Sequence, residues 1–406
     1  MVPLSVIEAQ ARTRALVRPA PVEWVGLETA LGRVLAAPLK ARLDHPAAPV
    51  SAMDGYACKG ADTNDRAKAL AVVGEVPAGR AFDRGIGQGE AVRIFTGGVV
   101  PDGADAILIQ ENARAEGGTV FPLEPVAPGV FVRPKGLDFR TGDALLRPGR
   151  VLDPIALALA AGMGHLWLPV RRRPRVAVLG TGDELVRPGE AAAAHQVISS
   201  NNLVLAGLAR LWGGEPVDLG IARDTPGALA EALEGAEGAD IVVTSGGASV
   251  GDHDLVQDVF RDAGMALDFW KIAMRPGKPL IAGRFRGAAF LGLPGNPVSA
   301  AVCGVVFLRG MLKSALGLDP ALPWRPVPLH RALAANDGRE EMMRAFYVGG
   351  ADGAVSVDPA PRQDSSMLAT LALADALVRR PVRDPARAAG EACDTLDLRA
   401  ALNPLG

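Results

Sequence analysis

The segment IVVTSGGASVGDHD (residues 241–254) decides the fold, because a short apolar run stops abruptly at a loop of glycines and helix-capping residues. Three other apolar runs end in the same way: 176–179 at GTGDE (180–184), 217–221 at RDTP (223–226), and 289–293 at PGNP (294–297). Helical patterns follow several of these loops, so the four runs are predicted to be parallel strands of one α/β sheet. Ligands bind beyond the carboxyl ends of such strands, and the site is therefore expected at this edge.

Three carboxylates, Glu184, Asp224 and Asp254, would meet at this edge with backbone N–H groups among them. The adjacent carboxylates Asp183 and Glu184 suit a hard cation such as Mg²⁺, which usually takes one or two carboxylates together with phosphate oxygens. The GTGDE segment also resembles half of a dinucleotide-binding fingerprint. Leu185 replaces the third glycine of that fingerprint, which disfavours nicotinamide binding.

Two of the loops offer backbone donors to an anion. The first contains Ser245, Gly246 and Gly247, which either form an anion nest or make a tight turn before a helix that Asp254 caps. The second consists of Pro294, Gly295 and Asn296 before a predicted helix, whose N-terminus favours anions. A purely structural role remains the alternative for both loops.

Three cations surround a Pro-Gly turn in WKIAMRPGKP (270–279): Lys271, Arg275 and Lys278. They form either a solvated surface or a site for phosphate or another oxyanion. Arginine would offer a two-pronged fork, and lysine a point charge.

Bulk composition excludes several classes of protein. The chain has 406 residues, which suggests two to four domains, and its net charge of -2 provides no general attraction for nucleic acid or anionic lipid. The three cysteines are widely spaced and form no disulfide or zinc motif, which predicts reduced thiols and a cytoplasmic location. The N-terminus resembles a capped helix, and apolar stretches fall short of the ~18 residues that span a membrane.

The remaining pattern predicts elements on both sides of the α/β segment. Helices are predicted over 6–16, 27–35, 151–164, 201–211, 226–235, 255–263 and 298–316. Short strands are predicted over 69–75, 90–95, 106–110, 119–123, 129–133, 327–329, 343–348, 354–357 and 376–378.

Several segments together resemble the molybdopterin molybdenumtransferase family, whose order and spacing they follow across most of the chain. They are SAMDGYA (51–57), IFTGG (94–98), TGDEL (181–185), SGGASVG (245–251) with Asp254, PGKP (276–279) and LPGNPVS (293–299). The resemblance implies a multidomain α/β plus β subunit in a homodimer. Its expected parts are a discontinuous helical linker domain (1–45 and 140–172), a β-rich domain (46–139), an α/β domain similar to the pterin adenylyltransferase module (173–318) and a C-terminal β-barrel (319–406).

The resemblance also implies an active site shared between subunits, with Asp54 and Thr96 of one facing Glu184 of the other. Catalytic roles carry over to Asp54, Thr96, Glu184, Asp254 and Lys271. Substrate-binding roles carry over to Asp138, Asp224, Ser245, Gly246, Gly247, Arg275, Lys278, Pro294, Gly295, Asn296 and Ser365. Arg275 stands where a well-known bacterial member has lysine, and Ser365 is favoured within QDSS (363–366).

The implied reaction inserts molybdenum from molybdate into adenylylated molybdopterin, with Mg²⁺-dependent cleavage of the phosphoanhydride and release of AMP. In this reaction Glu184, Asp224 and Asp254 are predicted to hold Mg²⁺, directly or through water. No nucleophilic triad is evident, so no covalent enzyme intermediate is expected. The alternatives are adenylylation of the pterin by ATP, a non-catalytic pterin-binding scaffold, and a paralogue that uses tungstate or another oxyanion. Neither nucleic acid nor membrane is an expected partner.

Overall fold

A computed structural model of the chain describes residues 3–246, 264–350 and 353–403. Three six-stranded sheets form the framework of this described part, and four two-stranded ladders connect or extend them. The three are here called the N-terminal, central and C-terminal sheets.

The chain opens with the helix Val6–Leu16, as predicted. Its Ser5 side chain accepts from the Glu8 N–H, while the Glu8 carboxylate accepts from the Ser5 N–H, which satisfies donors that the first turn would otherwise leave open. Val6 and Ala9 are buried in the core of the central sheet. This helix therefore packs against strands that come much later in the chain, not against the segment that directly follows it.

The second predicted helix, over 27–35, is wrong. Val22–Gly26 is a strand paired with Trp167–Arg171, and only one 3-10 turn follows it, at Leu27–Thr29. The leucine and valine spacing has a helical period, but the backbone donors bind elsewhere. The Leu35 N–H, for example, bonds the Arg150 carbonyl at 2.9 Å instead of a helical neighbour.

The N-terminal sheet contains most of the strands predicted between residues 41 and 146. Its spatial order is Ala106–Ile109, Gly55–Cys58, Glu90–Ile94, Leu70–Val76, Thr119–Pro122 and Ala113–Glu116. Gly55–Cys58 was missed because the Asp54-Gly55 pair at its start is typical of a turn. A side chain on Gly55 would lie 2.2 Å from the Leu108 carbonyl oxygen, so this strand needs glycine where its neighbour passes. The predicted strand 129–133 shrinks to Val132–Arg133, which pairs with Val50–Ser51.

The central sheet confirms the prediction of four neighbouring parallel strands. Its spatial order is Glu215–Ala222, Arg175–Thr181, Ile241–Ser245, Ala288–Leu293, Ile281–Phe285 and Met265–Trp270. The last two strands are antiparallel to their neighbours and were not predicted. Charged residues and a glycine (Asp268, Gly283 and Arg284) interrupt their apolar pattern.

Helices pack against the central sheet. Asn201–Leu211 and Pro226–Glu234 lie where the sequence predicts them, whereas the predicted helix 255–263 falls outside the described residues. Pro297–Leu316 is one continuous helix that contains a π-helical turn at Gly304–Leu308. In the described part of the chain it is the one helix long and apolar enough to span a membrane, but 94% of that stretch is buried, as expected for a core helix.

The C-terminal sheet takes one strand from the central region. Met274–Arg275 pairs in parallel with the start of Glu340–Gly349. The other strands are Arg325–Pro328, Val355–Pro359, Ala376–Arg380 and Ala392–Asp397, and two short helices, Leu368–Leu373 and Leu398–Ala401, complete this region. Ala392–Asp397 was missed; the other strands overlap the predicted ones.

Smaller elements join distant parts of the chain. Leu39–Lys40 pairs with Ala144–Leu146, and Leu185–Val186 pairs with Val197–Ile198. The helix Pro154–Gly162 begins at Asp153, whose carboxylate accepts from the Ala156 N–H, and it is shorter than the predicted 151–164.

Two helical glycines allow a matched test of this packing. A Cβ on Gly207 meets nothing within 4 Å, so Gly207→Ala is expected to raise the free energy of unfolding by about 0.5–1 kcal/mol through reduced backbone entropy. A Cβ on Gly304 would lie 2.8 Å from Leu208, so Gly304→Ala is expected to destabilise the fold by roughly 1–3 kcal/mol. Denaturant unfolding measures both. Equal shifts in the same direction would contradict the packing described here.

Candidate active site

Three strand-end loops of the central sheet touch at one edge, and a glycine makes this contact possible. The Gly246 N–H donates to the Leu293 carbonyl at 3.1 Å. A Cβ on Gly246 would lie 2.1 Å from the Thr181 carbonyl oxygen, and its φ of +103° also favours glycine. Gly295 approaches the Cα of Gly246 from the third loop. The sheet therefore brings together the loops that the sequence predicts to form the site.

Asn201, at the start of the helix Asn201–Leu211, ties two of these loops together. Its Nδ2 donates to the Ser245 Oγ at 2.7 Å and to the Gly295 carbonyl at 2.7 Å. The sequence interpretation missed this residue. It lies in an SSNN segment (199–202) where asparagine is typical of a helix start, and its long-range partners cannot be read from local spacing.

The carboxylates Asp183, Glu184 and Asp224 lie near one another beside these loops. The Asp224 N–H donates to the Asp183 carboxylate at 3.3 Å. Burial raises the pKa of Asp224, and the negative charges of Asp183 and Glu184 raise it further. The adjacent pair Asp183 and Glu184 thus lies beside Asp224, whereas Asp254 and Gly247 lie outside the described residues.

Carboxylate oxygens are the donors that Mg²⁺ prefers, and mutual repulsion among these side chains is what a bound cation would relieve. Within the described ranges, no group of three or more His, Cys, Asp or Glu side chains has the arrangement of a metal site. The predicted triad of Glu184, Asp224 and Asp254 includes a residue beyond those ranges. It therefore stays a prediction.

The three predicted cations have different surroundings. The Lys271 Nζ lies 3.5 Å from the centroid of the Trp270 ring, and its backbone φ is +72°, an unusual value for a residue other than glycine. Lys278 is exposed. Arg275 instead pairs with Glu341 at 2.7 Å and with Asp337 at 3.5 Å, and the Glu341 hydrogen bond raises the pKa of this guanidinium. The guanidinium of Arg275 thus pairs with carboxylates of the C-terminal region.

Ser365 reaches the central sheet from the C-terminal region. The Asn296 Nδ2 donates to the Ser365 Oγ at 2.7 Å, and the Val298 N–H donates to the Ser365 carbonyl at 3.1 Å. Ser366 bonds Asp364 instead, at 2.6 Å. Of the two serines, Ser365 is therefore the one that contacts the 294–297 loop.

A buried arginine holds the loop that carries Ser365. The Arg344 guanidinium donates to the Gln363 side chain at 3.1 Å and to the carbonyls of Asp364 at 2.8 Å and Met367 at 3.2 Å. The sequence interpretation missed Arg344 as well, because one arginine in a strand has no distinguishing local pattern.

Asp54 and Thr96 form a pair in the N-terminal sheet. The Asp54 carboxylate accepts from the Thr96 N–H at 2.7 Å and from the Thr96 Oγ1 at 2.8 Å. Both bonds lower the pKa of Asp54, the backbone bond more strongly. Asp138 is exposed and lies in a separate bend of the chain, where its N–H donates to the His45 carbonyl at 2.9 Å. Among the described residues, the hydrogen-bond partners of Asp54 and Thr96 lie within their own sheet region.

Three family models match the chain in order. Residues 4–164 match the MoeA N-terminal region (domain I and II), residues 177–314 match a probable molybdopterin binding domain, and residues 326–398 match the MoeA C-terminal region (domain IV). The edge described above lies in the second of these regions. Fold and site together therefore define a protein of the molybdopterin biosynthesis class.

Comparisons with whole proteins specify the family. The chain is 40% identical over 313 residues to the molybdopterin molybdenumtransferase of Nostoc sp., covering 75% of this chain and 71% of that protein. It is 36% identical to molybdopterin molybdenumtransferase 2 of Mycobacterium tuberculosis, covering 97% of this chain and 99% of the relative. The chain belongs to the molybdopterin molybdenumtransferase family, a family of transferase enzymes.

Solved structures agree with this assignment. A crystal structure of the molybdopterin biosynthesis MoeA protein from Pyrococcus horikoshii has a TM-score of 0.87 and 28% identity, covering 98% of this chain and 99% of that chain. A second structure from this organism has a TM-score of 0.80 at 27% identity, covering 97% of this chain and 100% of that chain. The likeness extends over all three sheets.

The raised pKa of Asp224 leads to a prediction about stability. The ionised carboxylate is less favourable in the folded chain than in the unfolded one, so Asp224→Asn should raise the Tm at pH 7 by about 1–2 °C. The gain should vanish as the pH falls through the raised pKa towards the ordinary value of 3.8, because wild-type Asp224 is then protonated. Thermal melts from pH 4 to 8 measure this, with Glu231→Gln on an exposed helix face as the control. A pH-independent gain would show that the ionisation of Asp224 is not its cause.

Proposed function

We propose that this chain inserts molybdenum from molybdate into adenylylated molybdopterin, with cleavage of the phosphoanhydride and release of AMP. The observation that carries the proposal is the contact of three strand-end loops beside the Asp183, Glu184 and Asp224 carboxylates. The names of the relatives, at 30–40% identity, support the same reaction. In the proposed step a water oxygen attacks the phosphorus of the AMP group, and the bridging oxygen leaves on the terminal phosphate of the pterin with the electron pair of the broken P–O bond. When the two Mo–S bonds form, the two dithiolene S–H protons and one molybdate oxygen leave as water, so the oxidation state of molybdenum does not change.

In the proposed site, backbone N–H groups and cations bind the anionic substrates, and carboxylates bind the metal ion. The Ser245–Gly247 and 294–297 loops would hold the phosphate and pterin through backbone N–H groups, as backbone donors at helix starts do elsewhere. The Gly246 N–H is not one of these donors, because it already bonds the Leu293 carbonyl. Lys271 and Lys278 would attract molybdate and the terminal phosphate. Arg275 would act indirectly, because its guanidinium already pairs with Glu341 and Asp337.

The carboxylates would provide the cation site. Glu184 and Asp224, together with Asp254, would hold Mg²⁺, either directly or through water. When bound, Mg²⁺ would neutralise charge that develops on the phosphate oxygens. No nucleophilic side chain is assigned, and positioning and electrostatics would supply the rate.

Glu184→Ala provides the direct test. Glu184 is exposed, so the variant should keep its fold and Tm while AMP release falls by roughly a hundredfold or more. The assay combines the protein with adenylylated molybdopterin, Mg²⁺ and either molybdate or tungstate. It follows nucleotide release and the reconstitution of an apo molybdoenzyme. Glu231→Ala, which removes an equally exposed glutamate from the helix Pro226–Glu234, is the matched control.

The same assay separates the alternatives. Normal turnover by Glu184→Ala would remove Glu184 from the mechanism. ATP consumption by the wild type without molybdate would indicate a pterin adenylyltransferase. Tight pterin binding without any AMP would indicate a scaffold, and a comparison of the two oxyanions would show which one the site prefers.

The subunit is proposed to divide into the four parts that the sequence suggests: 1–45 with 140–172, then 46–139, 173–318 and 319–406. Two ladders support a discontinuous first part. Val22–Gly26 pairs with Trp167–Arg171, and Leu39–Lys40 pairs with Ala144–Leu146, so these stretches of the two segments share backbone hydrogen bonds. The helix Val6–Leu16, in contrast, packs into the core of the central sheet. A cytoplasmic location belongs to the same proposal, and the three free, buried cysteines suit a reducing compartment.

The active site is further proposed to be shared between two copies of the chain. Val22, Trp24 and Trp167 lie on one face of their ladder and are 50%, 62% and 55% exposed, an apolar surface that a second copy would cover. The hydrogen bonds of Asp54 and Thr96 stay within the N-terminal sheet region, and a partner subunit would bring this pair to the acidic edge.

Mixed dimers test the shared site directly. Asp54→Ala and Glu184→Ala should each be inactive alone. After co-expression, half of the dimers are mixed, and each has one site free of both substitutions, so about a quarter of the wild-type rate should return. No recovery in mixed dimers verified by mass would contradict a shared site. Trp24→Glu with Trp167→Glu should give monomers in light scattering, whereas Val355→Glu, also on an exposed strand position, should not.

A further inference from the structure

We propose that Asn201 is a positioning residue: it holds the Gly295–Asn296 peptide so that the Asn296 N–H faces outward as a donor to an anionic oxygen of the substrate. The inference rests on the proposed function, because it assigns a contact within that site. It goes beyond it by naming a buried side chain, absent from the predicted set, that controls the geometry of the site.

The NH₂ group of the Asn201 side chain is fully occupied by two hydrogen bonds. The side chain is only 8% exposed, and both hydrogens of its single NH₂ group are used, one towards the Ser245 Oγ at 2.7 Å and one towards the Gly295 carbonyl at 2.7 Å. A buried donor that lost either partner would carry the full cost of its desolvation. The Gly295 carbonyl is therefore held towards the inside of the protein.

The direction of that carbonyl fixes the direction of the next N–H. The Gly295–Asn296 peptide is trans, and in a planar trans peptide the C=O and N–H bonds point in opposite directions. With the Gly295 carbonyl turned towards buried Asn201, the Asn296 N–H points away from it. Gly295 and Asn296 are both exposed, so the N–H faces the open side of the loop.

The Asn296 N–H is a donor that the start of this helix leaves open. Proline at 297 has no N–H, and the Val298 N–H is taken by the Ser365 carbonyl at 3.1 Å. The Asn296 side chain does not cap the helix but bonds the Ser365 Oγ. Among the described residues the Asn296 N–H donates to no backbone carbonyl. The helix continues to Leu316, so its dipole also favours an anion here.

The next residue provides an internal control. Asn202 is also 8% exposed, and its Nδ2 also makes two bonds, to the Asp218 carboxylate at 2.9 Å and to the Gly220 carbonyl at 2.8 Å. These partners lie in the edge strand Glu215–Ala222, not in the 294–297 loop. Removing either asparagine breaks two hydrogen bonds of a residue that is 8% exposed, but only Asn201 is connected to the proposed donor.

The experiment compares Asn201→Ala with Asn202→Ala in the full-length protein. Both should lower the Tm, and Asn202→Ala by at least as much as Asn201→Ala, because one bond of Asn202 is to the Asp218 carboxylate. Only Asn201→Ala should weaken binding of adenylylated molybdopterin, by about tenfold or more in Kd, as expected for a lost hydrogen bond to a charged group. KM should rise with Kd, while kcat should change less than KM. Binding is measured by equilibrium titration, and KM and kcat come from the AMP-release assay.

Asn201→Asp gives a second readout that does not depend on Asn201→Ala folding. An ionised carboxylate would repel the Gly295 carbonyl, whereas a protonated one could donate to it. Affinity of this variant, relative to wild type at each pH, should therefore recover as the pH falls from 8 to 5, since burial raises the pKa of a carboxyl group. Asn201→Ala should show no such recovery.

The outcomes separate the two proposals. If the wild type releases no AMP, the proposed function fails whatever the variants do. If the wild type is active and Asn201→Ala binds substrate no more weakly than Asn202→Ala, the positioning role is wrong. A pH-independent defect in Asn201→Asp would also overturn it, because the defect would then not depend on the missing donor.

Discussion

The edge of the central sheet depends on one close backbone contact. Residue 246 passes so near the Thr181 carbonyl that a side chain there would overlap it, and the same residue bonds Leu293 on the opposite side. Glycine at this point lets three loops from separate strands share one small region. The buried Asn201 amide and the Ser365 loop then extend this contact to a helix and to the C-terminal sheet. The site is thus built from backbone geometry before any charged side chain is placed.

The parallel core was predictable because its physical signals are local. Each strand is a short apolar run, each loop has glycines or capping residues, and the Val6–Leu16 helix has its reciprocal cap within four residues of sequence. The same local rules failed over 27–35, where an apolar spacing of helical period belongs to a strand and a turn. There the bonding partners, such as Arg150, are more than a hundred residues away.

The candidate site likewise contains some residues that local sequence signals indicate and others that depend on partners distant in sequence. Its loops and the Glu184 and Asp224 carboxylates follow from strand ends, so topology alone brings them together. Asn201 and Arg344 act through contacts that span 94 residues, to Gly295, and 20 residues, to Asp364, and no spacing rule indicates them. Arg275 has the charge expected of an anion-binding residue, but its partners Asp337 and Glu341 come from a region that the sequence places in another part of the chain.

The short strand Met274–Arg275 belongs by sequence to the central region and by hydrogen bonding to the C-terminal sheet. A cut between these regions would leave an open sheet edge on one side and the buried Glu341 carboxylate without Arg275 on the other, whereas Asp337 would keep its second partner, Arg339. The C-terminal sheet therefore cannot be removed without affecting the central region. In the course of evolution, loss or replacement of the C-terminal sheet would require a matching change in the turn that carries Arg275.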